Sequence, residues 1–358
     1  MSLKSVTRRG SLGGAAFVGA ALLFAMSANA FETAAHYVAS SADPASRIYV
    51  NEKLASGSVP TKAEKAVLFV HGATYPSLSF DLPIAGYNWM EYVAEHGWAA
   101  YALDVRGYGY STRPREMAAP AGENRPVMRA EAAIVDILDA VDFIRRRTGL
   151  AKVSLVGWSW GTVTTGLFTT RYQNVVDKLV LYAPVYGLYL PERLKNFRLA
   201  DPEDESRFNP AIGAYRAISA ESIRSRWEAQ IVPEDKSAWR EEIVATTWIE
   251  ALLASDPGSG RSDPPAMRAP NGVLIDVFEI FSGRPIFDAA EIVRPTLVIR
   301  GADDPTATDE DARGLTDRLG AASKAYVIVE DGSHFISLEK NAPALMERVQ
   351  VFLDGPAS

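Results

Sequence analysis

The chain has 358 residues, 47% of them hydrophobic and 23% charged, proportions of an ordinary folded protein with enough length for one large core. Disordered and collagen-like classes are thereby excluded. A formal net charge of −7, with no Lys/Arg tract long enough for a nucleic-acid patch, argues against nucleic-acid partners, and the lack of cysteine excludes disulfides, thiol nucleophiles, thiolate metal sites and a lipid-modified N-terminal Cys.

Residues 1–30 read as a separate unit. Lys4, Arg8 and Arg9 precede the apolar run Leu12 to Met26, and Ala28-Asn29-Ala30 offers a small-x-small cleavage site, which is the order of an export signal peptide. The run falls short of the roughly 20 residues a helix needs to span a bilayer, so no stable membrane anchor is expected after cleavage. Thr7-Arg8-Arg9-Gly10-Ser11-Leu12 resembles a twin-arginine signal, with Ser11 where such signals usually carry Phe; the resemblance implies export of the folded chain to the periplasm. Removing residues 1–30 takes away three basic residues and no acid, moving the net charge from −7 to −10.

From residue 34 onward, short apolar runs alternate with amphipathic segments, the pattern of an α/β sheet. His36 to Ala39 and Ile48 to Leu54 are opening strands. Ala66 to Val70, ending at His71-Gly72, and Ala99 to Val105 are continuous apolar runs that suit central strands buried on both faces. Between them, Trp89, Tyr92 and Val93 lie at near-helical spacing before Gly97. After the loop containing Pro114, Pro120 and Pro126, the residues Ile134, Ile137, Leu138, Val141 and Ile144 line one face of a helix that Gly149 closes. Val153 to Val156 is a strand, Thr162 to Tyr172 a helical segment, and Leu179 to Tyr182 the next strand. The rhythm then breaks. Residues 188–284 read as helices separated by Pro/Gly loops, with Trp227, Trp239, Trp248 and a long loop from Asp256 to Asn271. Strands return at Thr296 to Ile299 and Tyr326 to Val329, and a helix aligning Leu345, Val349 and Phe352 ends the chain.

Gly157-Trp158-Ser159-Trp160-Gly161 matches G-x-S-x-G, and it sits directly between a strand and a helical segment, where glycines permit the sharp turn that lifts a serine hydroxyl clear of a sheet. The alternative is a plain Gly/Ser turn. A serine hydroxyl is a weak nucleophile and needs a histidine base, usually oriented by a carboxylate. Of the four histidines, His36 precedes the core strands, His96 lies beside a helix end and His71 opens a loop. His334, in Asp331-Gly332-Ser333-His334-Phe335, follows the last strand and completes the chain order Ser, Asp, His. Asp303 and Asp304 both follow the strand Thr296 to Ile299 and are both candidate acids. Asp309 to Asp311 read as negative charges at a helix N-terminus, and Asp331 as part of the turn before His334.

On these motifs the chain resembles the alpha/beta-hydrolase superfamily, in its esterase/lipase-like branch, over roughly residues 62–186 and 290–354. Members carry Gly-x-x-Asp after the strand before the histidine, with the last residue catalytic, which selects Asp304. The resemblance implies a mostly parallel central sheet flanked by helices, formed by residues 31–187 and 285–358; it leaves unmatched the segment 188–284, which the broken strand rhythm marks as a mainly helical cap inserted after the sixth strand. It implies an oxyanion hole made by the Trp160 backbone N–H and a donor from the loop after His71-Gly72, Ala73 first and Thr74 second. Asp104 to Ser111 resembles the family's Asp-x-Arg-Gly-x-Gly-x-Ser turn and reads as structural. Tyr75, Trp158 and Trp160 are candidates for an aromatic wall of the substrate pocket, with ordinary packing as the alternative.

The activity implied is that of a serine hydrolase cleaving a carboxylic ester, in a small molecule or polymer, through an acyl-enzyme, without metal or organic cofactor. A serine in the elbow argues against the dehalogenase and epoxide hydrolase branches. A lactonase, an aminopeptidase or a carbon–carbon hydrolase of diketones could use the same three residues; the aminopeptidase needs cap acids, for which Pro202 to Glu205 is the candidate region. A non-catalytic binding protein of the same fold has no need of Ser, Asp and His together.

Overall fold

The structure is a computed structural model that describes residues 30–188 and 190–355. The export signal expected over residues 1–30 therefore lies, but for Ala30, outside the described residues. Among these residues no helix is long and apolar enough to cross a membrane.

The elements follow in the order β1 (Phe31–Ala39), β2 (Arg47–Ala55), β3 (Ala66–Val70), α1 (Trp89–Glu95), β4 (Ala99–Asp104), α2 (Ala130–Thr148), β5 (Val153–Trp158), α3 (Trp160–Tyr172) and β6 (Val176–Tyr182). The segment up to residue 284 then contributes α4 (Pro191–Asn196), β7 (Tyr215–Ser219), α5 (Ala220–Glu228), α6 (Glu242–Ser255), β8 (Ala266–Pro270) and α7 (Gly272–Phe281). The chain closes with β9 (Thr296–Gly301), α8 (Asp309–Arg318), β10 (Lys324–Val329) and α9 (Ala342–Asp354).

Eight strands form one sheet in the order β1-β2-β4-β3-β5-β6-β9-β10. Pairing is antiparallel at β1/β2 and β2/β4 and parallel from β4 onward. Every residue of β3, β4, β5 and β9 is buried, as suits mostly apolar strands covered on both faces. The edge strand β1 instead alternates half-buried with exposed residues along much of its length. Helices α2 and α3 pack together along the sheet, and α1 packs with α9. The α2 helix ends at Gly149, whose φ of 79° supplies the left-handed C-cap and whose N–H bonds to the Arg145 carbonyl at 2.8 Å.

The segment between α4 and α7 departs from the helical reading of the sequence. Tyr215–Ser219 and Ala266–Pro270 pair as an antiparallel ribbon, the second strand lying inside the expected 256–271 loop. Neither has a hydrophobic repeat long enough to show in the sequence. β8 is fixed from outside its own run: Asp256 Oδ2 accepts the Arg268 backbone N–H at 2.8 Å, and the Asp256 carboxylate also takes the Arg268 guanidinium.

One carboxylate ties this segment to the main sheet's helices. Asp276 of α7 accepts the Ala130 N–H at the start of α2 (2.7 Å), the Arg129 guanidinium (2.8 Å) and the Trp160 indole N–H at the start of α3 (3.1 Å). It satisfies a helix-end donor that has no partner within its own helix.

Candidate active site

Ser159 occupies the turn between β5 and α3 with φ 56° and ψ −120°, a region an L-residue adopts only when its surroundings impose it. The surroundings are tight. A Cβ on Gly157 would lie 2.3 Å from the Gly161 carbonyl oxygen, and one on Gly161 2.3 Å from that of Val70. The Ser159 N–H donates to the Tyr182 carbonyl on β6 (2.9 Å), and the Ser159 carbonyl accepts the Thr162 N–H and hydroxyl (2.8 and 2.6 Å). The loop after β3 runs alongside, so that a Cβ on Gly72 would come within 3.0 Å of the Ser159 Cβ.

His334 and Asp304, from the loops after β10 and β9, meet with Nδ1 2.7 Å from Oδ2. Asp304 Oδ1 accepts the backbone N–H groups of Thr306 (2.7 Å) and Ala307 (2.8 Å), which orient the carboxylate. A carboxylate only accepts, so the network assigns the ring proton to Nδ1 and leaves Nε2 as the free base. The His334 carbonyl is held in turn by the Trp158 indole N–H (3.0 Å) and the Tyr182 hydroxyl (3.1 Å). Of the two candidate acids, buried Asp304 is the one against the histidine, while Asp303 is exposed. Asp331 is an exposed turn residue at φ 52°.

The loop carrying Ala73 and Thr74 is fixed from three sides. His71 is wholly buried; its Nε2 accepts the Val105 N–H (3.1 Å), so the proton sits on Nδ1 and is donated to the Gly72 carbonyl (2.8 Å). Burial pushes the pKa of this ring down, in keeping with a neutral, structural histidine. The Ala73 carbonyl accepts the Tyr108 hydroxyl (2.9 Å) and the Arg216 guanidinium of β7 (2.6 Å). The 104–111 turn that presents Tyr108 is closed by Asp104, whose carboxylate accepts the backbone N–H groups of Ser77 and Tyr110, both at 2.8 Å.

Ser159 and His334 border one cavity with residues 72–75, Trp158, Phe335 and Arg226 of α5. Its volume is about 10 Å³, room for roughly one water. Tyr75, Trp227, Trp248 and Phe335 pack edge-on or tilted, with ring centroids 4.7–5.9 Å apart. The candidate aromatic wall divides accordingly. Tyr75 and Trp158 line the cavity, whereas the Trp160 side chain runs to Asp276. The acids of residues 202–205 sit in an exposed turn and do not line the cavity. Among the described residues there is no group of three or more His, Asp or Glu side chains placed to hold a metal ion.

Residues 65–341 match the alpha/beta hydrolase fold family. The chain belongs to that family. Solved structures similar to this alpha/beta hydrolase include a bromoperoxidase from Bacillus anthracis (17% identity, TM-score 0.61, covering 90% of this chain and 100% of that one). A thermophilic esterase from Thermogutta terrifontis matches at 15% identity and TM-score 0.60, over 89% of this chain and 98% of the other. An enol-lactonase from Burkholderia xenovorans LB400 matches at 17% identity and TM-score 0.60, over 89% and 100%. At these identities the likeness is one of fold. No curated protein matches.

Three polar residues of this alpha/beta hydrolase escaped the reading of its sequence. Arg216 binds the Ala73 loop, Asp276 ties α7 to α2 and α3, and Glu339 accepts the N–H and hydroxyl of Ser333 beside the histidine (2.9 and 2.5 Å). The one local signal is that Glu339 directly follows Phe335-Ile336-Ser337-Leu338, a mostly apolar stretch beside which a charge must find a partner.

Proposed function

We propose that this chain is a serine hydrolase that cleaves a carboxylic ester through an acyl-enzyme. The observation that supports it most is the His334–Asp304 bond of 2.7 Å on a histidine that shares a cavity with Ser159. In this reading the Ser159 Oγ attacks the acyl carbonyl while His334 Nε2 takes its proton, and Asp304 holds the tautomer and faces the imidazolium that forms. The backbone N–H groups of Trp160 and Ala73, with Thr74 as second choice for the latter, stabilise the oxyanion. Collapse expels the alcohol, which receives the proton from His334; a water activated by the same nitrogen then releases the acid and restores Ser159. The residues named need no metal or organic cofactor for these steps. We also propose that residues 1–30 direct export to the periplasm by the twin-arginine route, so that the mature chain begins at Phe31, which N-terminal sequencing of the exported protein tests.

Labelling with a fluorophosphonate probe tests the catalytic reading. Wild type is expected to label and Ser159→Ala not, with turnover of a p-nitrophenyl ester lower by about a millionfold. An unlabelled wild type, or equal labelling of the variant, overturns the proposal.

A further inference from the structure

Two arginines without a carboxylate partner meet at the hydroxyl of Thr74, a residue of the cavity wall. Arg226 borders the cavity and directs Nη1 toward the Thr74 hydroxyl oxygen at 3.4 Å; Arg216 places Nη2 3.1 Å from the same atom. Arg216 is otherwise bonded to neutral acceptors: the carbonyls of Ala73 and Pro270 and the side-chain oxygen of Asn271. Neither makes an ion pair among the described residues, although Arg224, two residues from Arg226 on α5, is paired with both Glu228 and Glu242.

The acids near the cavity are already committed. Asp304 is occupied by His334 and two backbone N–H groups, and Glu339 by Ser333 and the Trp227 indole. A locally cationic pocket thus sits in a protein whose net charge is −7. The second observation is independent of charge. The hydroxyl of Tyr75, a residue only 3% exposed, is buried with no hydrogen-bond partner among the described residues, and Tyr75 lines the same cavity. An unpaired buried hydroxyl costs free energy that a ligand acceptor recovers.

We propose that the cavity beside Ser159 takes an acyl substrate bearing a carboxylate, held by the Arg226 guanidinium and the Tyr75 hydroxyl. A guanidinium presents a fork of donors matched to a carboxylate, and the phenol adds one short donor from the buried side. Burial pushes the Tyr75 pKa up while the Arg226 and Arg216 charges oppose the rise, and the hydroxyl stays a donor at neutral pH. Arg226 is an exposed residue, so solvent screens its charge and the preference it confers is moderate.

The inference rests on Ser159 being the nucleophile, and its test separates the two. The p-nitrophenyl monoester of adipic acid, which keeps a free carboxylate, is compared with p-nitrophenyl hexanoate, with Ser159→Ala as background and fluorophosphonate labelling run on every sample. Wild type is expected to favour the anionic ester in kcat/KM by about tenfold or more, the worth of one charge-assisted hydrogen bond. Arg226→Gln and Tyr75→Phe each reduce that ratio, Arg226→Lys restores part of it, and Arg224→Gln keeps it. A wild type that labels but prefers hexanoate, or an Arg226→Gln protein that labels with the ratio unchanged, overturns the subsite alone; a wild type that fails to label overturns the hydrolase reading.

Discussion

The indole N–H of Trp227 on α5 donates to Glu339 Oε1 at 3.0 Å, and that same carboxylate holds Ser333, the residue before His334. The segment over the cavity is thereby joined to the histidine's own loop. Glu339 is wholly buried, and burial raises its pKa above the ordinary carboxylate range. Glu339→Ala leaves the Ser333 N–H and the Trp227 N–H without acceptors, at about 1–3 kcal/mol each, so thermal melting is expected well below wild type. Turnover of an ester should fall with it, because His334 loses its brace. Glu339→Gln keeps one acceptor and should lie between the two; equal melting temperatures for all three proteins would show that the bonds carry no stability.

Arg216 is a positioning residue in this scheme, since it reaches the chemistry only through the Ala73 carbonyl and the Thr74 hydroxyl. Its bond to Ala73 polarises the Ala73–Thr74 peptide and fixes the loop that carries both oxyanion-donor candidates. Arg216→Ala is expected to lower kcat by about ten- to a hundredfold with a smaller change in KM, since an oxyanion donor acts in the transition state. Added guanidinium ion should recover part of the kcat. A change confined to KM, with no rescue, would remove Arg216 from this role.

The core strands are legible because burial on both faces favours apolar runs, unbroken in Ala66–Val70 and confined to Leu297-Val298-Ile299 in Thr296–Gly301. The elbow is legible because only glycine fits at 157 and 161. The Asp304–His334 bond is foreshadowed by chain order together with the Gly-x-x-Asp pattern that separates Asp304 from Asp303. The β7–β8 ribbon is not, for its strands are five residues each and are fixed by partners outside them, such as Asp256. Arg216 and Glu339 were out of reach for a related reason. Their partners lie 143 and 112 residues away in the chain, at Ala73 and Trp227, and no local pattern encodes such pairs.

Glycine substitutions should divide by what a new Cβ meets. At Gly157 it would fall 2.3 Å from the Gly161 carbonyl oxygen and 2.5 Å from the Thr165 hydroxyl, so Gly157→Ala must displace backbone. A cost of about 3 kcal/mol is expected, visible as a lower denaturation midpoint or loss of soluble protein. Gly314 lies within α8, and its Cβ would meet only the end of the Arg318 side chain at 3.6 Å. Gly314→Ala should therefore stabilise, by about 0.5–1 kcal/mol, through helix propensity and a less flexible unfolded chain. Shifts of the same sign at both positions would contradict this account.

Asp136 and Asp311 each contribute stability that is lost as pH rises toward neutrality. Asp136 on α2 is wholly buried, and burial outweighs the Arg106 charge and hydrogen bonds to push its pKa up to about 6. Asp311 on α8 is likewise raised to about 6, again chiefly by burial. In the unfolded chain both titrate near 3.8. Below 3.8 both states hold the protons, and the contribution is fully present. Between 3.8 and about 6 the folded state retains protons that the unfolded state has released, so each step upward in pH favours unfolding. Above that window both states are ionised and the contribution is gone. Glu242, held down at about 2 by Arg224 and Arg240, has the opposite slope, but over a lower range that ends near 4.5. Buried His71, whose pKa burial pushes down, has the opposite slope below 6.5, so the acids are read by difference: the melting temperature of Asp136→Asn minus that of wild type should rise from about pH 4 to 7, the Asn amide oxygen still accepting from the Arg106 N–H. Asp311→Asn should shift the difference in the same direction, and the double variant most. Variants that run parallel to wild type across this range would place the two protons elsewhere.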